Sequence, residues 1–138
     1  MTHEAKRDIV ARIAAGADSV GVDEIYIVDE PFRIASMALD WMPLKAKVVR
    51  LGIELHHDAT DTERAVRAFV GEGVEVIVSL GGDGTNRIIA RSAPQTELIP
   101  LSTGTNNVFP SMVEPTSAGV IAALAARGRF SDDAARGI

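Results

Sequence analysis

An α/β fold, layered as a three-layer sandwich around a mainly parallel sheet, is what the sequence predicts. Three observations carry that expectation. The apolar pattern switches repeatedly between period 2 and period 3.6 along the chain. Candidate strands are separated by helical stretches long enough for right-handed crossovers, which place strands parallel. The chain has 138 residues with 46% hydrophobic side chains, enough for one core and too few for two, so residues 1–138 are expected to form one domain.

The elements follow in order. Ala5, Ile9 and Ile13, flanked by Val10 and Ala14, recur at helical spacing, so residues 3–15 read as an amphipathic helix ended near Gly16. Ile25-Tyr26-Ile27-Val28 is short, β-branched and bounded by acids, which predicts a buried strand over 24–29. Pro31 suits the first turn of a helix running to about Trp41, and Pro43 stops it. Trp41 and Met42 are expected to pack near that helix end. Val49, Leu51, Ile53 and Leu55 alternate with more polar positions, the pattern of a strand near a sheet edge.

Thr60-Asp61-Thr62-Glu63 reads as a capping box, with Thr60 and Glu63 exchanging side-chain and backbone hydrogen bonds. The helix it opens has Ala65, Val66, Phe69 and Val70 as its buried stripe and closes at Gly71 or Gly73. Val74–Leu80 is almost wholly apolar, as befits a central strand covered on both faces. A helix bearing Ile88, Ile89 and Ala90 comes next, then a short strand over 98–101. A last helix over 116–127 is expected to turn Val120, Ile121 and Leu124 inward, with residues 131–138 weakly ordered.

Composition excludes several classes of function. Fourteen basic against nineteen acidic residues give a net charge of -5 without any basic run, so nucleic acid is not an expected partner. Cysteine is absent, which removes disulfides, thiolate zinc sites and thiol catalysis and suits a reducing cytoplasm. The charged N-terminus lacks a signal peptide's apolar core, and the longest apolar stretch, residues 120–126, is far below the roughly 20 residues that span a bilayer. Neither secretion nor membrane insertion is expected.

In open α/β sheets, ligands sit at the carboxyl ends of strands, and three polar loops fall there: 56–58, 81–85 and 102–107. Gly81-Gly82-Asp83-Gly84-Thr85 is the strongest signal. Its three glycines permit positive φ and let the backbone approach a ligand closely, and the helix that follows adds a positive N-terminus, together a phosphate cradle. It is neither a Walker A loop nor a dinucleotide fingerprint, because no Lys-Ser/Thr pair follows and the glycine spacing differs. Asp83 is out of place beside phosphate unless it shares a divalent cation or takes a proton from an incoming hydroxyl, both roles in phosphoryl transfer. A hairpin Asp-Gly turn is the plain structural alternative, but a helical pattern follows the loop.

The run Leu80-Gly81-Gly82-Asp83-Gly84-Thr85-Asn86, followed by Ile99-Pro100-Leu101-Ser102-Thr103-Gly104-Thr105-Asn106-Asn107-Val108-Phe109-Pro110, resembles the nucleotide-binding half of the NAD kinase and diacylglycerol kinase superfamily. The second run is most similar to its acetoin-catabolism, AcoX-like branch. Gly21-Val22-Asp23-Glu24 and Asp61-Thr62 extend the likeness over most of the chain.

The resemblance implies an NAD-kinase-like N-terminal domain using ATP and Mg²⁺ to phosphorylate a hydroxyl of NAD or a related acceptor. Gly81, Gly82, Gly84 and Thr85 would bind nucleotide phosphates, with Asp83 as base or metal organiser. Thr103, Gly104, Thr105, Asn106 and Asn107 would lie beside the bound nucleotide. Members of this superfamily usually open with an additional strand and continue into a β-rich domain carrying an Asn-Glu motif, and residues 1–138 are expected to hold neither. Three alternatives therefore stand beside an active kinase: a non-catalytic nucleotide-binding module, a piece of a longer kinase, or a lipid-kinase-like acceptor. A second copy or a C-terminal domain is expected to cover the open sheet edge.

Weaker candidates have plainer readings. Arg87 and Arg91 share a helix face at i, i+4, where phosphate screening competes with simple solvation. Adjacent His56 and His57 on extended backbone point to opposite sides, so no shared metal ion is expected there.

Overall fold

The computed structural model describes residues 2–29, 32–101 and 114–128. Its elements, in chain order, are α1 (His3–Val20), β1 (Glu24–Val28), α2 (Ile34–Leu39), β2 (Lys47–Leu51), α3 (Thr60–Gly71), β3 (Val76–Ser79), α4 (Asp83–Ser92), β4 (Glu97–Pro100) and α5 (Pro115–Gly128). The expected alternation of strand and helix is present throughout. Two expectations fall outside the described residues: Pro31 as the opening of α2, and the order of 131–138.

Every strand pairing among the described residues is parallel. β1 pairs with β2 in register Glu24↔Lys47 to Val28↔Leu51, and β3 pairs with β4 from Val76↔Glu97 to Ser79↔Pro100. The two pairs form separate two-stranded sheets, and a cavity of about 460 Å³ lies between β1 and β3. Alternating strand residues serve opposite faces, as the pleat requires. Ile25, Ile27 and Val76 join one core with α1, α2 and α5. Tyr26, Ile77 and Leu98 face a second core with Val66 of α3 and Ile89 of α4. Helices on both faces of parallel strands give the three layers of the expected α/β fold.

α1 begins where Thr2 accepts the N–H of Ala5 at 3.0 Å. It runs five residues beyond the expected stop and closes at Gly21, whose φ of 98° places it in the left-handed region. Gly16 does not end the helix because its role is spatial. A Cβ there would overlap the carbonyl of Thr116, and one at Gly119 would overlap the carbonyl of Ile13, so α1 and α5 cross backbone to backbone through two glycines. Asp18, near the end of α1, accepts the N–H groups of Lys45 at 3.1 Å and Ala46 at 2.8 Å, fixing the approach to β2.

This close crossing corrects the expected face of α5. Ile121 and Leu124 are exposed, whereas Ala118, Ala122, Ala123 and Ala126 are buried, since only small side chains fit where two backbones nearly touch. Trp41, expected to pack, is 92% exposed beyond the end of the six-residue α2. Val70 is exposed as well, while Val66 carries the buried stripe of α3. β2 begins at Lys47 and ends at Leu51, so Ile53 and Leu55 lie beyond the paired strand.

The capping box is absent. Thr60 donates both its N–H, at 2.9 Å, and its hydroxyl to Asp58, and Glu63 pairs with Arg67. The N-cap of α3 is Ala59, so Thr60 already stands in the first turn, out of the position from which its hydroxyl could accept the N–H of Glu63. Gly73, at φ 77°, makes the turn out of α3.

The crossing yields the first prediction. Gly119→Ala should destabilise the chain by about 1–3 kcal/mol, the usual cost of overpacking a fitted core. Gly52→Ala, with nothing near its added methyl, should be close to neutral. Urea unfolding of both variants checks this; equal midpoints would remove the crossing from its structural role.

Candidate functional site

The Gly-rich segment stands at the carboxyl end of β3. Gly81 donates its N–H to the Ser79 hydroxyl at 3.2 Å, which starts the turn. Gly82 is the N-cap of α4 in extended conformation, without a side-chain capping bond. Asp83, Gly84 and Thr85 form the first turn, and Asn86 N–H makes the first helical bond, to the Gly82 carbonyl at 3.0 Å. The leading N–H groups of α4 therefore lack an intrahelical acceptor and point out of a helix end with positive polarity.

The glycines work here by absence of bulk and not by left-handed φ. Positive φ among the described glycines is confined to Gly21 and Gly73. A Cβ on Gly81 would lie 2.5 Å from the Thr85 side chain, so Gly81 is demanded by packing, whereas Gly82 and Gly84 face open space. The cradle is thus a bare backbone surface, with the exposed Asp83 carboxylate at its edge. Asn86 Oδ1, one turn into the helix, is buried without a hydrogen-bond partner among the described residues.

Two further carboxylates reach the same sheet edge. Asp29, just past β1, accepts the N–H of buried Ser36 at 3.1 Å and also its hydroxyl. Asp61, in the first turn of α3, accepts the N–H of His56 at 2.8 Å and of His57 at 2.9 Å, and pairs with Arg64. Arg64 also donates Nε–H to the Glu54 carbonyl at 2.8 Å, so one carboxylate and one guanidinium hold loop 54–57 down. The His56 N–H, helped by Arg64 and the His57 N–H, outweighs burial and keeps the Asp61 carboxyl below the ordinary aspartate range. The Thr60 hydroxyl and N–H do the same for Asp58. Asp29, Asp61, Gly81 and Thr85 all line the cavity between β1 and β3.

Of the residues expected at a site, the structure brings together Gly81, Gly82, Asp83, Gly84 and Thr85. Thr103, Gly104, Thr105, Asn106 and Asn107 lie outside the described residues. The described chain leads toward them from Leu101, whose N–H donates to the Ser79 carbonyl at 2.7 Å, directly beside the Gly-rich turn. Arg87 and Arg91 are exposed on α4. His56 and His57 are held through their backbone, and no cluster of three or more acidic or histidine residues suited to a metal occurs among the described residues. Asp29 was not singled out by sequence reasoning; its signal was an acid immediately after a buried strand, at the edge where ligands gather.

Residues 26–130 match the ATP-NAD kinase N-terminal domain. The chain is similar to Acetoin catabolism protein X of Cupriavidus necator, 34% identical over 141 residues, covering 89% of this chain and 36% of that protein. It is also similar to an uncharacterized protein of Archaeoglobus fulgidus, 31% identical over 110 residues, covering 80% of this chain and 32% of the other. The chain spans about a third of the length of these curated relatives. No solved structure matches it. No helix among the described residues is long and apolar enough to cross a membrane.

The anchoring of loop 54–57 predicts a pH response. A carboxyl depressed by native hydrogen bonds stabilises at pH above the ordinary aspartate range, and that contribution is lost as pH falls through its folded value. The His56 and His57 amide resonances should therefore titrate together, with a midpoint below that of an ordinary aspartate. Asp61→Asn should abolish this titration; its persistence in the variant would assign the anchor to another group.

Proposed function

The chain belongs to the ATP-NAD kinase N-terminal domain family, and from that premise we propose that it is the donor-binding half of a cytoplasmic small-molecule kinase. The reaction is phosphoryl transfer from ATP to a hydroxyl of NAD or a related acceptor. The observation that carries this reading is the uncapped start of α4: bare glycine backbone and free N–H groups meet an exposed carboxylate at the end of a parallel strand.

In this reading Gly82, Gly84 and Thr85 receive nucleotide phosphate oxygens through backbone N–H groups, with no Cβ on either glycine in the way. Asp83 stands where an acceptor hydroxyl would be deprotonated as its oxygen attacks the terminal phosphorus and the bond to the leaving diphosphate breaks. Mg²⁺, when bound, neutralises charge on the transferring phosphates. Asp83 suits it as a single carboxylate ligand, the phosphates and water supplying the rest, because Mg²⁺ needs few protein ligands. Thr103, Gly104, Thr105, Asn106 and Asn107 are assigned to the nucleotide's flank by their motif. The relatives are about three times as long, which supports a division of labour in which this domain holds the donor and further chain, or a second copy, completes the acceptor side.

Two measurements test the reading. ATP titration should move the amide signals of Gly82 and Gly84; no response at millimolar ATP would overturn it. In the full-length protein, Asp83→Asn should lower phosphoryl transfer by about 10²- to 10⁴-fold, the usual scale of a lost general base. ATP affinity should survive, since the backbone donors are untouched and a repulsive charge is gone. Full activity in Asp83→Asn would remove the catalytic assignment.

A further inference from the structure

We propose that two copies of this chain pair through β2, their outer strand edges meeting antiparallel about a two-fold axis at Val49, with α2 of one copy set beside α2 of the other. Among the described residues β2 has a single strand neighbour, β1, so its outer edge is open. In a parallel ladder the N–H and C=O of one residue point to the same side, and successive residues alternate. Lys47 donates its N–H to the Asp23 carbonyl at 2.9 Å, on the β1 side. Val49 and Leu51 therefore turn inward as well, and Val48 and Arg50 present their backbone groups outward.

Two outward residues flanking an inward one are complementary to their own copy. Rotation about Val49 sets Val48 of one copy opposite Arg50 of the other, where each pair exchanges both backbone hydrogen bonds. The same rotation sets Lys47 opposite Leu51, so no like charges face each other, whereas a parallel copy in register would stack each cation on itself. Arg50 is moreover paired with Asp40, which removes its charge as an obstacle. That ion pair also joins the strand edge to α2. Asp40 is the C-cap of α2, and beside it stands Trp41, 92% exposed, with Met37 exposed one turn earlier. An axis normal to the sheet leaves α2 and its mate on one face, so that each covers the Trp41 and Met37 of the other. A tryptophan offers about 150–250 Å². With two tryptophans, two methionines and a strand pair, the contact approaches the roughly 1,200 Å² at which specific interfaces begin, the scale of a reversible micromolar dimer.

Trp41 is the single tryptophan of the chain and cysteine is absent, so both residue types report without background. As concentration rises from micromolar to millimolar, sedimentation should show a dimer and Trp41 emission should move to shorter wavelength. Val49→Cys should form an intermolecular disulfide under mild oxidation, because opposed residues of a non-hydrogen-bonded pair have Cα atoms about 4.5 Å apart. Lys47→Cys should not, since its mate lies about 13 Å away along the strand. Val48→Pro removes an outward N–H and leaves the ladder to β1 whole, so it should weaken the dimer at least about tenfold. Trp41→Ala, a change at an exposed position, should weaken it as much and keep the monomer's thermal midpoint. A monomer up to millimolar concentration, cross-linking of Lys47→Cys as readily as Val49→Cys, or a dimer unmoved by both Val48→Pro and Trp41→Ala would each overturn the proposal. Short-wavelength Trp41 emission already in the monomer would mean that the chain itself covers this face, and would overturn it too.

Discussion

The architecture depends on how closely α1 and α5 approach. Two backbones meet through Gly16 and Gly119, each pressed against a carbonyl of the opposite helix. Contact at that distance leaves room only for alanine-sized side chains around it, and Ala14, Ala17, Ala118 and Ala122 occupy those places. The helix pair then acts as one broad slab against β1 and β3, with Ile25, Ile27 and Val76 buried beneath it. Dispersion between well-fitted small groups, summed over the slab, does here what a few large side chains do in other cores.

On the opposite side, α3 and α4 cover the strands with a smaller core of Val66, Val74, Ile77 and Ile89. Both helices begin at the carboxyl edge of the strands, so their positive ends converge there. The chain places acids at those ends: Asp61 and Glu63 in the first turn of α3, and Asp83 in the first turn of α4. Asp61 is committed to His56, His57 and Arg64, while Asp83 remains exposed to solvent. One helix start is closed by its own loop and the other is left open.

Much of this was legible in the sequence. Among the described residues, period-2 and period-3.6 patterning located the four strands and five helices, because burial on alternate faces leaves its trace residue by residue. The Gly-rich turn was legible for the same reason: it follows a buried strand and precedes a helical pattern. What sequence could not supply was the partner of each small residue. Gly16 looked like a stop because nothing local announces a helix more than a hundred positions away, and Ile121 and Leu124 looked buried because the alanines beside them outranked them only through that contact. The capping box failed because the N-cap of α3 is Ala59, which leaves Thr60 already in the first turn. The three glycines permit positive φ, but none of them adopts it; what they contribute is clearance, at Gly81 against the Thr85 side chain.

The α1–α5 crossing also orders events in time. During synthesis α1 leaves the ribosome well before α5, because the surface it needs lies about a hundred positions later in the chain, and closing so long a loop carries a substantial entropic cost. Until α5 emerges, the alanine stripe of α1 and the strand faces beneath it stay wet. The β1–β2 pair can form early from local contacts, but the slab that buries it is a late event. The nascent domain therefore passes through a long interval of exposed apolar surface, in which chaperone capture competes with arrival of α5.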